Sequence, residues 1–200
     1  MKITWKGSMN EHNLFVCPDL PGDAKKLVSD QSAWTMYLLM IPILILAYVG
    51  IKLRLAYVAG TMFTKWALLA GAALSLPFLV AHEFIHTICC PKTSEIFLYV
   101  TSAGICIIPT CPLSKRRYII MALMPTVILG ICPFLVWLFD PVCSVQAGSI
   151  LFGFSLGSLS MCIGDIYNAI LAGAKMTSDS VLVTSGKDCY YFKRPTARLR

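Results

Sequence analysis

Four stretches of the chain are almost free of charge. Gln31–Ile51 and Tyr118–Phe139 carry none, Pro141–Ala174 carries only Asp165, and Trp66–Pro91 carries only His82, Glu83 and His86, two cysteines aside. A bilayer-crossing helix takes about 20 mostly apolar residues. The pattern therefore predicts four such helices, over roughly 32–50, 66–90, 118–139 and 148–173. A soluble chain could not hide four runs of this length behind the polar residues that remain.

A fifth apolar run, residues 96–114, reads differently. It is interrupted by Thr101, Ser102 and Gly104 and then by Pro109 and Pro112, and it opens with strand-forming types, Ile96 to Thr101. It is expected to be a re-entrant segment or a β-hairpin near 96–112, since non-helical backbone at membrane depth needs a protein-lined cavity. The arm 1–31 is polar and shows no convincing element. In the tail, Val181–Thr184 and Cys189–Phe192 flank Ser185-Gly-Lys-Asp188, the pattern of two short strands around a turn. The expected class is thus an all-α membrane protein of about four transmembrane helices. It divides into a polar N-terminal arm (1–31), a membrane-embedded domain (32–175) and a short tail (176–200) with a small cytosolic hairpin.

Charge gives this arrangement a direction. With both termini in the cytosol, 14 Lys and Arg residues lie inside and 3 outside, as the positive-inside tendency requires. A fifth span would reverse the balance to 5 inside against 12 outside. The net charge of +7 is accounted for by orientation and by attraction to anionic lipid, and calls for no nucleic acid. The arm does not have the form of a signal peptide, so the first helix is expected to stay in the bilayer. The composition, 57% hydrophobic and 14% charged, fits the same class. The nine cysteines lack finger-like spacing and read as reduced, small buried hydrophobes.

Ionisable residues inside a membrane helix are costly and usually functional. His82-Glu83-Phe84-Ile85-His86 has its histidines four apart, on one helix face about one turn from each other. Two imidazoles so placed can share a single zinc ion, with a further ligand and a water completing the shell. Glu83, one step round, can act as general base on that water. The candidate third ligand is Asp165, for two reasons. It is the lone charge of the last helix, and it lies eight residues before that helix's expected end, as His82 does in the second. Asn168 shares the Asp165 face and could hold a ligand, donate to an oxyanion or bind substrate backbone. Helix–helix hydrogen bonding is an equal alternative for Asn168. Cys162 is a rival ligand one turn before Asp165, and His12 reads as an exposed residue of the arm. Gly153, Gly157 and Gly164 suit close helix packing.

These residues resemble the putative zincin peptidases, small bacterial membrane proteins, and more distantly the site-2 intramembrane metalloproteases. The elements that carry the likeness are the His82–His86 helix, Pro125, Gly164-Asp165-Ile-Tyr-Asn168, and the closing Ser178-Asp-Ser-Val and Lys187-Asp-Cys-Tyr-Tyr-Phe segments. The resemblance implies one zinc on His82, His86 and Asp165, with Glu83 catalytic. It also implies a strand edge near 96–111 for an unwound substrate, and a bacterial plasma-membrane location. The chain departs from the site-2 pattern in that Ile166 follows Asp165 and Asn168 comes after it. The expected activity is zinc-dependent hydrolysis of peptide bonds near the cytosolic face. The substrate would be a membrane-anchored protein or a hydrophobic peptide. A metal-stabilised protein without catalysis and a small transporter or proton relay are the alternatives.

Overall fold

The structure is a computed structural model. It describes residues 2–10, 12–29, 33–56, 58, 63–92, 94–101, 104–140 and 143–194. The basic residues Arg198 and Arg200 and the expected break at Ser102 lie outside these. Two compact units are present. The first comprises Met1–Gln31, Glu83–Ala122 and Asn168–Arg200, and the second Ser32–His82 and Leu123–Tyr167.

The second unit is helical, and three of the helices below also contribute residues to the first, Glu83–Ile88, Lys115–Ala122 and Asn168–Lys175. Helix α1 runs Ala33–Leu55 and α2 Lys65–Ser75, and α3 starts at Leu79 and continues to Ile88. The helix expected over 66–90 is thus two helices, bent by 47°. Pro77 is the reason. It has no N–H to donate, so the ladder passes through shorter bonds, Leu76 N to Ala73 O at 3.2 Å and Leu79 N to Leu76 O at 3.1 Å. The third expected span begins three residues early, as α4 (Lys115–Pro125), a π-helical stretch (Thr126–Ile131) and α5 (Cys132–Phe139). The fourth divides into α6 (Val145–Met161) and α7 (Ile163–Lys175), bent by 48° at Cys162. Trp34–Leu55 and Lys115–Phe139 are each long and apolar enough to cross a membrane, and four spans result if each bent pair counts as one. Leu38, Ile41, Leu44 and Tyr48 of α1 are exposed apolar side chains, as a lipid-facing helix requires.

Helices α2 and α6 touch backbone to backbone. A methyl group on Gly71 would run into the Ile150 carbonyl, one on Gly153 into that of Leu68, and one on Gly157 into the Ser75 side chain. Gly153 and Gly157 thus pack closely, as expected. Gly164 does not, because a methyl there would meet nothing within 4 Å.

The first unit carries the strands, so the chain is mostly helical with two sheets and not all-α. The run over 96–112 is a hairpin, β3 (Glu95–Thr101) with β4 (Gly104–Pro109). The arm, expected to hold no element, supplies β1 (Lys2–Ser8), which lies parallel to β3. Strand β1 is mostly exposed and so lacks the apolar alternation that marks a half-buried strand. Its partner is about ninety positions away, and no local signal could reveal it. Gly7, at φ 76°, absorbs a bulge in this pairing. The second sheet joins β2 (Lys25–Lys26), β5 (Leu113–Ser114) and the tail hairpin of β6 (Ser180–Ser185) and β7 (Asp188–Lys193), which turns at Gly186 with φ 66°; the strand order is β2-β7-β6-β5. Leu27, Ile96, Leu113, Tyr118, Met121 and Leu182 belong to this unit's buried core.

All nine cysteines are free thiols. Only Cys90 and Cys162 are buried, and Cys132 is exposed, so most of them are not the buried hydrophobes expected. Cys132 sits in an apolar helix where lipid can cover it, which is why its apolar surroundings in sequence gave a false sign of burial.

Candidate metal centre

Restarting the helix after Pro77 gives α3 its own axis, and His82, Glu83 and His86 all lie on it. His82 is buried, and Glu83 and His86 are partly so. The four-residue interval sets His86 one turn beyond His82 on the same face, as helix geometry alone demands.

Asp165 is brought in by the second break. Cys162 caps α6 with φ −78° and ψ 0°, and α7 restarts at Ile163 with Asp165 in its first turn. A carboxylate there lies at the favourable end of the helix dipole. Its Oδ2 is 2.8 Å from Nε2 of His82. One donor atom from each of His82, His86 and Asp165 lies within 4.8 Å of the other two. The cluster follows from one continuous helix, which spaces the histidines, and one close contact between His82 and the Asp165 carboxylate.

The hydrogen bonds around the imidazoles decide which nitrogens point inward. His86 Nδ1 lies 2.8 Å from the Met121 carbonyl oxygen. A carbonyl only accepts, so Nδ1 carries the proton and Nε2 keeps the lone pair. The sequence also explains why that carbonyl accepts a side chain. Four residues on stands Pro125, which has no N–H to complete the usual helical bond to Met121. On His82 the two ring nitrogens also face different partners. Nε2 faces Asp165, while Nδ1 is 3.6 Å from the Cys162 thiol on the far side of the ring. Cys162 therefore supports His82 from behind, and the rival ligand role for it is not what the geometry favours. Two imidazoles presenting Nε2, each held at Nδ1, with a carboxylate beside them, form a donor set suited to zinc.

Asn168 lies one turn beyond Asp165 on α7, partly buried, and its amide makes no hydrogen bond among the described residues. His12 is exposed, as expected. The contributions of the Met121 carbonyl and Pro125 were missed from sequence. The signal was present, because a proline inside an apolar span releases a carbonyl one turn earlier. Its partner, however, becomes visible only in three dimensions.

No curated protein and no solved structure matches the chain. Residues 75–178 match the family described as putative zincin peptidase. The chain belongs to that family. The zincin match begins at the last residue of α2 and covers all three donors, Glu83, the β3–β4 hairpin and the Pro125 span. It leaves out α1, β1, β2 and the β6–β7 hairpin, so the closing Cys189-Tyr-Tyr-Phe192 segment lies beyond it. Membership points to a metallopeptidase and to zinc as its metal.

Proposed function

We propose that this chain is a zinc-dependent, membrane-embedded peptidase in which His82, His86 and Asp165 hold one zinc ion and Glu83 is the catalytic residue. The observation that carries the reading is the convergence of these three donors, with both histidines steadied at Nδ1. When bound, zinc supplies Lewis acidity that polarises a scissile carbonyl and lowers the pKa of the attacking water. Glu83 accepts the proton of that water and returns it to the departing amine nitrogen. Asn168 offers its amide N–H to the carbonyl oxygen or the substrate backbone. Strand β4 has β3 on one side only in its sheet, which suits an extended substrate pairing along the other edge. The apolar spans favour a membrane-anchored protein or a hydrophobic peptide as substrate, cleaved near the cytosolic face, with both termini on that side.

Metal content of detergent-purified protein tests this. About one zinc per wild-type chain, lost in Asp165→Ala and in the His82→Ala/His86→Ala double variant, is the expected result. Wild-type protein without stoichiometric metal would remove the zinc reading and turn these residues toward a proton relay. Zinc retained in Asp165→Ala would displace Asp165 as ligand. Zinc present but no hydrolysis of any hydrophobic peptide, with Glu83→Gln indistinguishable from wild type, would leave a metal-stabilised protein.

A further inference from the structure

The second unit holds a buried cation away from the metal centre. Arg54, in the last turn of α1, is only 5% exposed. Its guanidinium lies over the Trp137 ring, 5.1 Å from the centroid. Among the described residues no carboxylate pairs with it. Its Nη1 and the indole Nε1 of Trp137 are both buried and both lack a hydrogen-bond partner. Each group can only donate. Two buried donors, one of them charged, without an acceptor are a heavy penalty for a fold to carry.

The other guanidinium nitrogen of Arg54, Nη2, and the Trp137 indole both lie beside Gly148 at the start of α6. A methyl built on Gly148 would sit 3.8 Å from Arg54 Nη2, 3.8 Å from Trp137 Nε1 and 3.6 Å from the indole Cδ1. Gly148, having no side chain, lets the guanidinium and the indole come close to the α6 backbone. In the first turn of this 17-residue helix, Ser144 takes up the Ala147 amide through its Oγ and the Gly148 amide through its carbonyl. The Val145 and Gln146 amides have no partner among the described residues, and they carry the positive end of the helix dipole. The guanidinium, the indole N–H and the first amides of α6 all donate, and an anion is the group that would take them up.

We infer that Arg54, Trp137 and the N-terminus of α6 form a binding site for a phosphate-type anion. The surroundings favour the phosphodiester of a phospholipid headgroup. The site lies where α1 and α5 end and α6 begins, at the limit of apolar helices. Leu53, Val136, Phe139 and Val145, all exposed and apolar, lie on these helix ends. A headgroup at the donors can therefore have acyl chains along those faces. Arg supplies a fork that matches phosphate oxygens, and the indole supplies one further N–H. The Phe63 ring stacks on Trp137 at 5.9 Å and Phe152 packs at 4.3 Å, which holds the indole in place.

The test uses the full chain in a phosphate-free sugar detergent. The unfolding midpoint is followed as sodium phosphate, or phosphatidylglycerol in mixed micelles, is added. Wild type, Arg54→Gln and Trp137→Phe are compared. Wild type is expected to be stabilised in a saturable way. Trp137→Phe keeps the aromatic stack and loses one N–H to a charged acceptor, so it should bind roughly tenfold more weakly. Arg54→Gln should lose the response. Stabilisation by phosphatidylglycerol and not by sodium phosphate assigns the site to a lipid headgroup, and a response to both assigns it to phosphate in general. No response to either, or an undiminished response in Trp137→Phe, overturns the site. Trp137→Phe decides the matter even if Arg54→Gln does not fold.

Discussion

Glu83 and Pro125 show how single residues of this chain bear on chemistry in different ways. Glu83 is next to His82 on α3 but is not one of the three donors, so removing its charge separates catalysis from metal binding. Glu83→Gln is expected to keep about one zinc per chain while peptide turnover falls by about 10²–10⁴-fold, the range of general acid–base catalysis. Measuring both on one preparation checks this, and loss of zinc would move Glu83 among the ligands. Pro125 acts at a distance. If it serves to release the Met121 carbonyl for His86, then Pro125→Ala restores a competing helical N–H. Zinc affinity, read by competition with a chelator, should then weaken by about 10- to 100-fold, as when a histidine loses its supporting hydrogen bond. Unchanged affinity would show that the carbonyl serves both partners.

Among the elements, the α2–α6 contact depends on absent side chains. Gly153→Ala pushes a methyl into the Leu68 carbonyl and is expected to lose about 1–3 kcal/mol of stability by thermal unfolding in detergent. Gly164→Ala, on α7 with open space, should be neutral or slightly stabilising, because alanine favours helix. Strand β1 depends on charge and hydrogen bonding at Glu95. The Thr4 hydroxyl donates to that carboxylate at 2.8 Å and Lys2 pairs with it at 3.1 Å, which holds its pKa below the ordinary value. A carboxylate whose folded pKa is depressed stabilises the fold above its unfolded pKa, near 4.3. That contribution disappears as pH falls through the lower folded value. The protection factors of the β1 amides, taken against the intrinsic rate at each pH, should therefore fall in acid, and Thr4→Val should bring the change on at higher pH. Protection in β1 that is insensitive to acid would rule out this tether.

For the whole molecule, the proposed orientation makes a prediction that does not depend on the zinc. Cys17 lies in the N-terminal arm and Cys143 in the link between α5 and α6, and both thiols are partly exposed. In single-cysteine variants on intact cells, an impermeant thiol reagent should reach Cys143 and spare Cys17. The reverse would invert the topology and put the metal centre nearer the outer face. Several features at this scale were legible in the residues. The apolar runs marked the helices, two of them long and apolar enough by themselves to cross a bilayer, since a bilayer imposes length and composition directly on the sequence. Four-residue spacing put His82 and His86 on one face, since a helix is a local structure. The tail hairpin was readable from strand-forming types around Gly186. Other features rest on contacts between distant positions, which no local pattern encodes. They include the pairing of β1 with β3, the support of His86 by Met121, the breaks that bring Asp165 to His82, and the meeting of Arg54 with Trp137. In each case the residue type was visible but its partner was not, because folding in space, and not nearness along the chain, chooses which groups meet.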